Sequence, residues 1–108
     1  MKSITPTALA ALFASQAPLT VLDVRRLAAK NQDPRHIPGA VWHDPAAWLE
    51  WKDHIARDKS VVVYCAKGHE ISQAMTACLA ALGAEACYLE GGIAAWHAAG
   101  VGVNLSRS

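Results

Sequence analysis

Two short apolar runs constrain the fold of this chain more than any other feature. They are "LTVLDV" at residues 19–24 and "SVVVYC" at residues 60–65, and both are rich in β-branched side chains. Such continuous runs are typical of strands buried on both faces, because a strand with one wet face alternates apolar and polar residues. A sheet buried on both faces needs helices above and below it. The two runs therefore predict an α/β fold with a central, mostly parallel sheet.

Helical segments alternate with strands along the rest of the chain. Helices are predicted at about residues 6–16, 45–56, 69–82 and 93–99, and further strands at residues 40–43 and 84–90. Pro6 and Pro45 stand in first turns, and Asp44 caps the second helix. The third helix carries an apolar stripe that consists of Ile71, Met75, Cys78, Leu79 and Leu82. Residues 25–39 are interpreted as a connecting loop. This order predicts three layers, with helices on both faces of the sheet.

Length and composition indicate one globular domain over residues 1–108. The chain is 53% hydrophobic and 18% charged, which is typical of a folded protein rather than a disordered one. The formal net charge of +1 is too small for the electrostatic footprint of a nucleic-acid-binding protein. No apolar run approaches the roughly 20 residues that span a bilayer. We therefore expect neither nucleic acid nor membrane among the partners.

The cysteine count indicates a reducing compartment. Cys65, Cys78 and Cys87 are an odd number without a C-x-x-C pair, so neither a disulfide framework nor a zinc ribbon is indicated. The segment "ALAALFASQA" resembles the apolar part of a secretion signal, but Lys2 is the only basic residue before it, and a helix explains it better. We expect a cytoplasmic protein without a metal site.

Cys65 stands where a buried strand ends and a short loop leads into a helix. In parallel α/β folds, ligands bind at the carboxyl ends of the strands. A helix that begins near His69 or Glu70 points its unpaired N–H groups and the positive end of its dipole at the loop, and both favour a thiolate. Lys67 adds a positive charge, and Gly68 allows the loop to curl tightly. The position therefore predicts a reactive cysteine.

Structural roles are the alternative for many of these residues. A cysteine at a strand end is often a small buried hydrophobe, and Cys78 and Cys87 are interpreted as core residues. Of the five histidines, only His69 lies in the loop. Asp23 and Arg25 are interpreted as an ion pair. Packing also explains the four tryptophans, which are Trp42, Trp48, Trp51 and Trp96.

Five blocks of sequence, taken in order, resemble the rhodanese homology domain. They are "ITPTALAALFA", "LTVLDVR", "RHIPGAVW", "VVVYCAKGHEIS" and "ALGAEACYLEGGIAAWHAAG", and they span about residues 4–103. The resemblance implies the rhodanese-like three-layer fold and a sulfurtransferase activity without a cofactor. In such enzymes the loop cysteine, here Cys65, attacks the outer sulfur of thiosulfate or a similar donor and becomes a persulfide. It then passes the terminal sulfur to cyanide or a thiol.

The resemblance also implies which residues bind the substrate. These are the other residues of the loop, Ala66, Lys67, Gly68, His69, Glu70 and Ile71, with Lys67 as the contact for an anionic donor. Arg25 follows the family's D-x-R pattern and is interpreted as a structural tie.

Two loop positions depart from many active relatives, which place Arg, Thr or Ser there. Position 66 is Ala and position 70 is Glu. The carboxylate of Glu70 opposes an anionic donor, so a persulfide carried by another protein is a second candidate donor.

Three other functions are weaker alternatives. Dual-specificity phosphatases share this architecture but need an Arg where this chain has Ile71. A non-catalytic rhodanese-like binding or sensing module is a further possibility, and the presence of Cys65 argues against it. A zinc site built from Cys65, His69 and Cys78 lacks a standard ligand spacing.

Overall fold

A five-stranded parallel sheet forms the centre of the molecule, in a computed structural model that describes residues 2–101 and 104–105. Its strands are β1 (Ser3–Ile4), β2 (Leu19–Asp23), β4 (Val41–Trp42), β5 (Ser60–Tyr64) and β6 (Ala86–Leu89). They pair in the order β1-β6-β5-β2-β4. A separate antiparallel pair joins β3 (Arg35–His36) to β7 (Asn104–Leu105). The predicted parallel sheet is confirmed. Of the rhodanese-like match over residues 4–103, positions 102 and 103 lie outside the described residues.

The helices are α1 (Pro6–Ala14), α2 (Leu27–Gln32), α3 (Trp48–Trp51), α4 (Glu70–Ala81) and α5 (Gly92–Ala98). Two of the predicted helix starts have side-chain caps. The Thr5 hydroxyl accepts the Ala8 N–H at 3.1 Å, and the Asp44 carboxylate accepts the Ala46 N–H at 2.9 Å. The longest helix in the described part of the chain has 12 residues, and none there is long and apolar enough to cross a bilayer.

Alternating side chains of the sheet divide the core into two layers. One buried cluster contains Leu22, Val24, Trp51, Ile55, Val61, Val63, Cys65, Leu79, Ala84 and Ala86. The cluster on the other face contains Leu9, Val21, Ile37, Val62, Tyr64, Leu89, Ile93 and Trp96. Helices α3 and α4 therefore cover one face, and α1 and α5 the other, as predicted. Because side chains alternate along a strand, Cys65 continues the row of Val61 and Val63 and faces α4.

Two segments differ from their prediction. The stretch at residues 25–39 is not a plain loop, because it contains α2 and β3. No residue of α2 is buried, so the helix leaves no apolar periodicity in the sequence. The predicted helix at residues 45–56 is broken into a 3-10 turn, the short α3 and a second 3-10 turn. Within it, the Trp51 indole N–H donates to the Asp44 carbonyl at 2.8 Å, which closes the segment into a compact corner.

The prediction that Cys78 belongs to the core is wrong. Its side chain is exposed, because α4 turns Ser72, Thr76 and Leu79 toward the sheet instead. The two hydroxyl residues can be buried because both are hydrogen-bonded. The Thr76 hydroxyl donates to the Ser72 carbonyl at 2.7 Å. Cys87 is half-buried and packs against the second cluster, in agreement with its predicted role.

Arg25 forms the predicted ion pair with Asp23 and is the structural tie that the family resemblance implies. Its side chain is only 2% exposed. Nη2 lies 2.8 Å from the Asp23 carboxylate. Nε donates to the same carboxylate, while Nη1 donates to the Asp33 carbonyl at 2.9 Å and Nη2 also donates to the Arg35 carbonyl at 3.0 Å. The guanidinium therefore joins the end of β2 to the segment that leads into β3.

Candidate active site

Cys65 lies at the floor of a cavity of about 420 Å³ at the carboxyl end of the sheet. It follows the last residue of β5 and is 6% exposed. Five of the predicted loop residues line this cavity with it, namely Ala66, Lys67, His69, Glu70 and Ile71. Gly68 does not line the cavity, because it is buried against the backbone of Gly91 and Gly92. The structure therefore gathers the predicted site around the cysteine.

Hydrogen bonds favour the thiolate form of Cys65. Burial opposes ionisation, but the Ser72 hydroxyl and the N–H groups of Ser72, Lys67 and Gly68 outweigh it and lower the pKa of the thiol. The half-buried Cys87 lacks such donors, and burial raises the pKa of its thiol. The loop therefore stabilises negative charge on Cys65 although that side chain is nearly inaccessible.

Ser72 is a site residue that the sequence analysis missed. Its side chain is fully buried in the first turn of α4. The neutral Cys65 thiol donates to the Ser72 hydroxyl oxygen at 3.2 Å, and in the thiolate the hydroxyl becomes the donor. The available signal was its position, because a hydroxyl in the first turn of a helix that follows a strand-end cysteine lies close to the sulfur.

Two charged side chains of the loop, Lys67 and Glu70, are exposed at the cavity and free to meet a ligand. Lys67 and Glu70 form no ion pair or side-chain hydrogen bond with any described residue. No side-chain cap bond forms at the start of α4. Arg26, which the sequence analysis did not single out, also lines the cavity. Its only signal in the sequence is that it directly follows Arg25.

The start of α5 holds the backbone of the loop. The N–H groups of Ile93 and Ala94 donate to the carbonyls of Cys65 and Ala66, both at 3.0 Å. These bonds turn the two carbonyls toward α5, while N–H groups further along the loop point at the sulfur. The family resemblance includes this segment within the block "ALGAEACYLEGGIAAWHAAG" but implies no contact with the loop.

Two glycines make this close approach possible. A Cβ at Gly68 would lie 2.6 Å from the Gly91 nitrogen, and a Cβ at Gly92 would lie 2.6 Å from the Gly68 nitrogen and clash with the Cys65 carbonyl oxygen. Both glycines also have positive φ, at +73° and +61°. Any side chain at either position would therefore push the loop away from α5.

Metal-ligating side chains do not gather in the described part of the chain. No group of three or more His, Cys, Asp or Glu residues there is placed to hold an ion.

Comparison with known proteins places this architecture in a family. The family model for the Rhodanese-like domain matches residues 5–99. A rhodanese-related protein from Thermoplasma volcanium is 29% identical with a TM-score of 0.85, and the match covers 98% of this chain and 100% of that one. A rhodanese-like domain protein from Staphylococcus aureus is 25% identical with a TM-score of 0.82, covering 99% and 100% of the two chains.

One similar structure is an enzyme with a stated activity. A thiosulfate sulfurtransferase from Pseudomonas aeruginosa is 30% identical with a TM-score of 0.80. The match covers 99% of this chain but 20% of that one, so this chain corresponds to about one fifth of the enzyme. No functionally curated protein matches the sequence.

Gly92→Ala is expected to loosen the loop. Gly39→Ala is the matched control, because Gly39 also has positive φ (+80°) but has open space where a Cβ would stand. The control should lose about 1–2 kcal/mol of unfolding free energy from backbone strain. Gly92→Ala should lose about 1–3 kcal/mol more from the clash. Chemical denaturation measures both, and equal losses in the two variants would contradict the close contact.

Proposed function

The chain belongs to the rhodanese-like family, and on that premise we propose that it is a sulfurtransferase that carries sulfane sulfur on Cys65. The observation that carries the proposal is the hydrogen-bonded, low-pKa thiol at the floor of a cavity with exposed cations. A nucleophilic thiolate beside an anion-binding rim is what transfer from an anionic sulfur donor requires.

The reaction has two balanced halves. In the first, the Cys65 thiolate attacks the outer sulfur of thiosulfate, a new S–S bond forms, and the original S–S bond breaks with its electron pair leaving on sulfite. In the second, cyanide or a thiolate attacks the terminal sulfur of the Cys65 persulfide, the persulfide S–S bond breaks with its electron pair on Cys65, and thiocyanate or a new persulfide leaves. Because one covalent intermediate links two substrates, ping-pong kinetics are expected. Neither half needs a general base or a cofactor.

The loop supplies the means to hold the persulfide and the donor. The N–H groups of Lys67, Gly68 and Ser72 that lower the Cys65 pKa are equally placed to stabilise an anionic persulfide. The exposed ammonium of Lys67 attracts an anionic donor at the mouth of the cavity. Glu70 opposes it from the same rim, so a persulfide on a protein or small thiol competes with thiosulfate as the donor.

The reactive thiol also bears on the alternatives. A non-catalytic binding module does not need hydrogen-bond donors that favour the thiolate form of a buried cysteine. Phosphoryl transfer lacks a cationic clamp, because an apolar side chain occupies the relevant position, Ile71, at the cavity wall. The three cysteines are all free thiols, and we propose that the protein works in a reducing compartment, the cytoplasm.

Thiosulfate should add the mass of one sulfur atom to the protein, and peptide mapping should place it on Cys65. Cyanide should remove it. Cys65→Ser should gain nothing, whereas Cys78→Ser, which removes an exposed thiol, should behave like the parent. A cyanide-labile sulfur on Cys78 or Cys87 in the parent protein would refute the assignment.

Neutralising the two rim charges should change the donor half-reaction in opposite directions. Lys67→Gln should lower the second-order rate constant for thiosulfate about tenfold, since it removes one charged contact. Glu70→Gln should raise that rate constant, because the carboxylate no longer repels the dianion. Lys59→Gln, at an exposed lysine outside the cavity, controls for net charge. Pre-steady-state persulfide formation measures all three, and a decrease in Glu70→Gln would contradict this electrostatic account.

A further inference from the structure

Gln73, the fourth residue of α4, reaches back past the start of its own helix to the cysteine loop. Its side-chain amide N–H donates to the Gly68 carbonyl at 3.1 Å. Because a carbonyl can only accept, the amide nitrogen rather than the amide oxygen must face it. This contact is separate from the hydrogen bonds that lower the pKa of Cys65.

The contact fixes a peptide group that could otherwise turn over. Gly68 has φ of +73°, and a glycine can also rotate about ψ at little steric cost. The start of α5 holds the carbonyls of Cys65 and Ala66, but among the described residues it is Gln73 that holds the Gly68 carbonyl. Gln73 therefore sets the orientation of the peptide between residues 68 and 69.

The same peptide group carries the N–H of His69. The C=O and N–H of a trans peptide point in opposite directions, so this N–H points away from Gln73. It donates to no described residue. The backbone N–H groups that lower the Cys65 pKa belong to Lys67, Gly68 and Ser72, so the Cys65 sulfur does not occupy the His69 N–H.

The loop separates two cavities. Cys65 lines one of them. Gln73 lines another, of about 480 Å³, which shares Lys67, His69 and Glu70 with the first but does not include Cys65. An N–H that points away from Gln73 therefore faces the side of the loop on which the Cys65 cavity opens. A free donor there favours a negatively charged atom just beyond the cysteine sulfur.

We propose that Gln73 is a positioning residue for sulfur transfer, which holds the 68–69 peptide so that the His69 N–H meets the terminal sulfur of the Cys65 persulfide. This inference deepens the proposed function and rests on it. The terminal sulfur exists only after transfer, so the His69 N–H stabilises the persulfide and not the thiolate. The Gln73 amide should therefore shift the equilibrium of the donor half-reaction toward the persulfide.

The test measures that equilibrium. In mixtures of thiosulfate and sulfite, the Cys65 thiolate takes the outer sulfur of thiosulfate and releases sulfite, and sulfite attacks the terminal sulfur in the reverse direction. Intact mass gives the fraction of persulfide at a pH where the Cys65 thiol is ionised. Gln73→Met should lower the equilibrium constant about fivefold, because it removes one neutral hydrogen bond. The pKa of Cys65, from its alkylation across pH, should change less than this constant.

Three further variants separate the hydrogen bond from size and charge. Gln73→Glu keeps the size but has no donor, and it should lower the constant as Gln73→Met does. Gln73→Lys keeps a donor that can reach the Gly68 carbonyl, and it should keep the parent constant. Thiolate and persulfide carry the same charge, so an added charge nearby affects both alike. Gln32→Met is the matched control, at an exposed glutamine whose side chain bonds to no described residue.

The outcomes distinguish this inference from the proposed function. If Gln73→Met and Gln32→Met have the same constant, if Gln73→Lys loses as much as Gln73→Met, or if the constant falls only as far as the Cys65 pKa rises, Gln73 does not act on the terminal sulfur. The proposed sulfurtransferase function then stands. Should Gln73→Met fail to fold, the contrast between Gln73→Glu and Gln73→Lys decides. If thiosulfate adds no sulfur to Cys65 of the parent protein, the proposed function fails together with this inference.

Discussion

The contact between the cysteine loop and the start of α5 is the constraint on which the site depends. Two backbone N–H groups of α5 hold the carbonyls of Cys65 and Ala66, and the approach is so close that Gly68 and Gly92 leave no space for a side chain. Because these carbonyls are hydrogen-bonded to α5 on the side away from the sulfur, the N–H groups of the loop can close around the sulfur. A helix on one face of the sheet thus shapes a loop that leads into α4 on the other face.

This geometry stabilises the Cys65 thiolate more than the charges of nearby side chains do. Burial alone would disfavour ionisation of Cys65, and the opposing hydrogen bonds come from Ser72 and from loop N–H groups. The cations of Lys67 and Arg26 line the cavity and remain available to a substrate. The two tasks of activating the nucleophile and attracting the donor therefore fall to different groups, and variants can separate them.

The sequence predicts those parts of the site that leave a local signal. The buried strand, the cysteine at its end and the start of α4 at Glu70 are each specified by neighbouring residues, and the structure confirms them. Ser72 was not predicted because a buried hydroxyl does not fit the apolar stripe of its helix. Arg26 was not predicted because a surface arginine has no sequence pattern of its own. The contact of Gly92 with the loop joins segments more than 20 residues apart, so no local pattern contains it. Helix α2 was not predicted for the same reason, because none of its residues is buried.

The most direct test of this account is the pH dependence of alkylation of the cysteines by neutral iodoacetamide, resolved by peptide mass. The pKa of Cys65 should be lower than that of an ordinary thiol although the side chain is almost fully buried, because hydrogen bonds favour the thiolate, and burial should raise the pKa of Cys87. Ser72→Ala should raise the pKa of Cys65, and Thr76→Val, which removes the next buried hydroxyl of α4, should leave it unchanged. A Cys65 pKa at or above the ordinary value, or one indifferent to Ser72→Ala, would contradict the claim that the loop and Ser72 hold a thiolate.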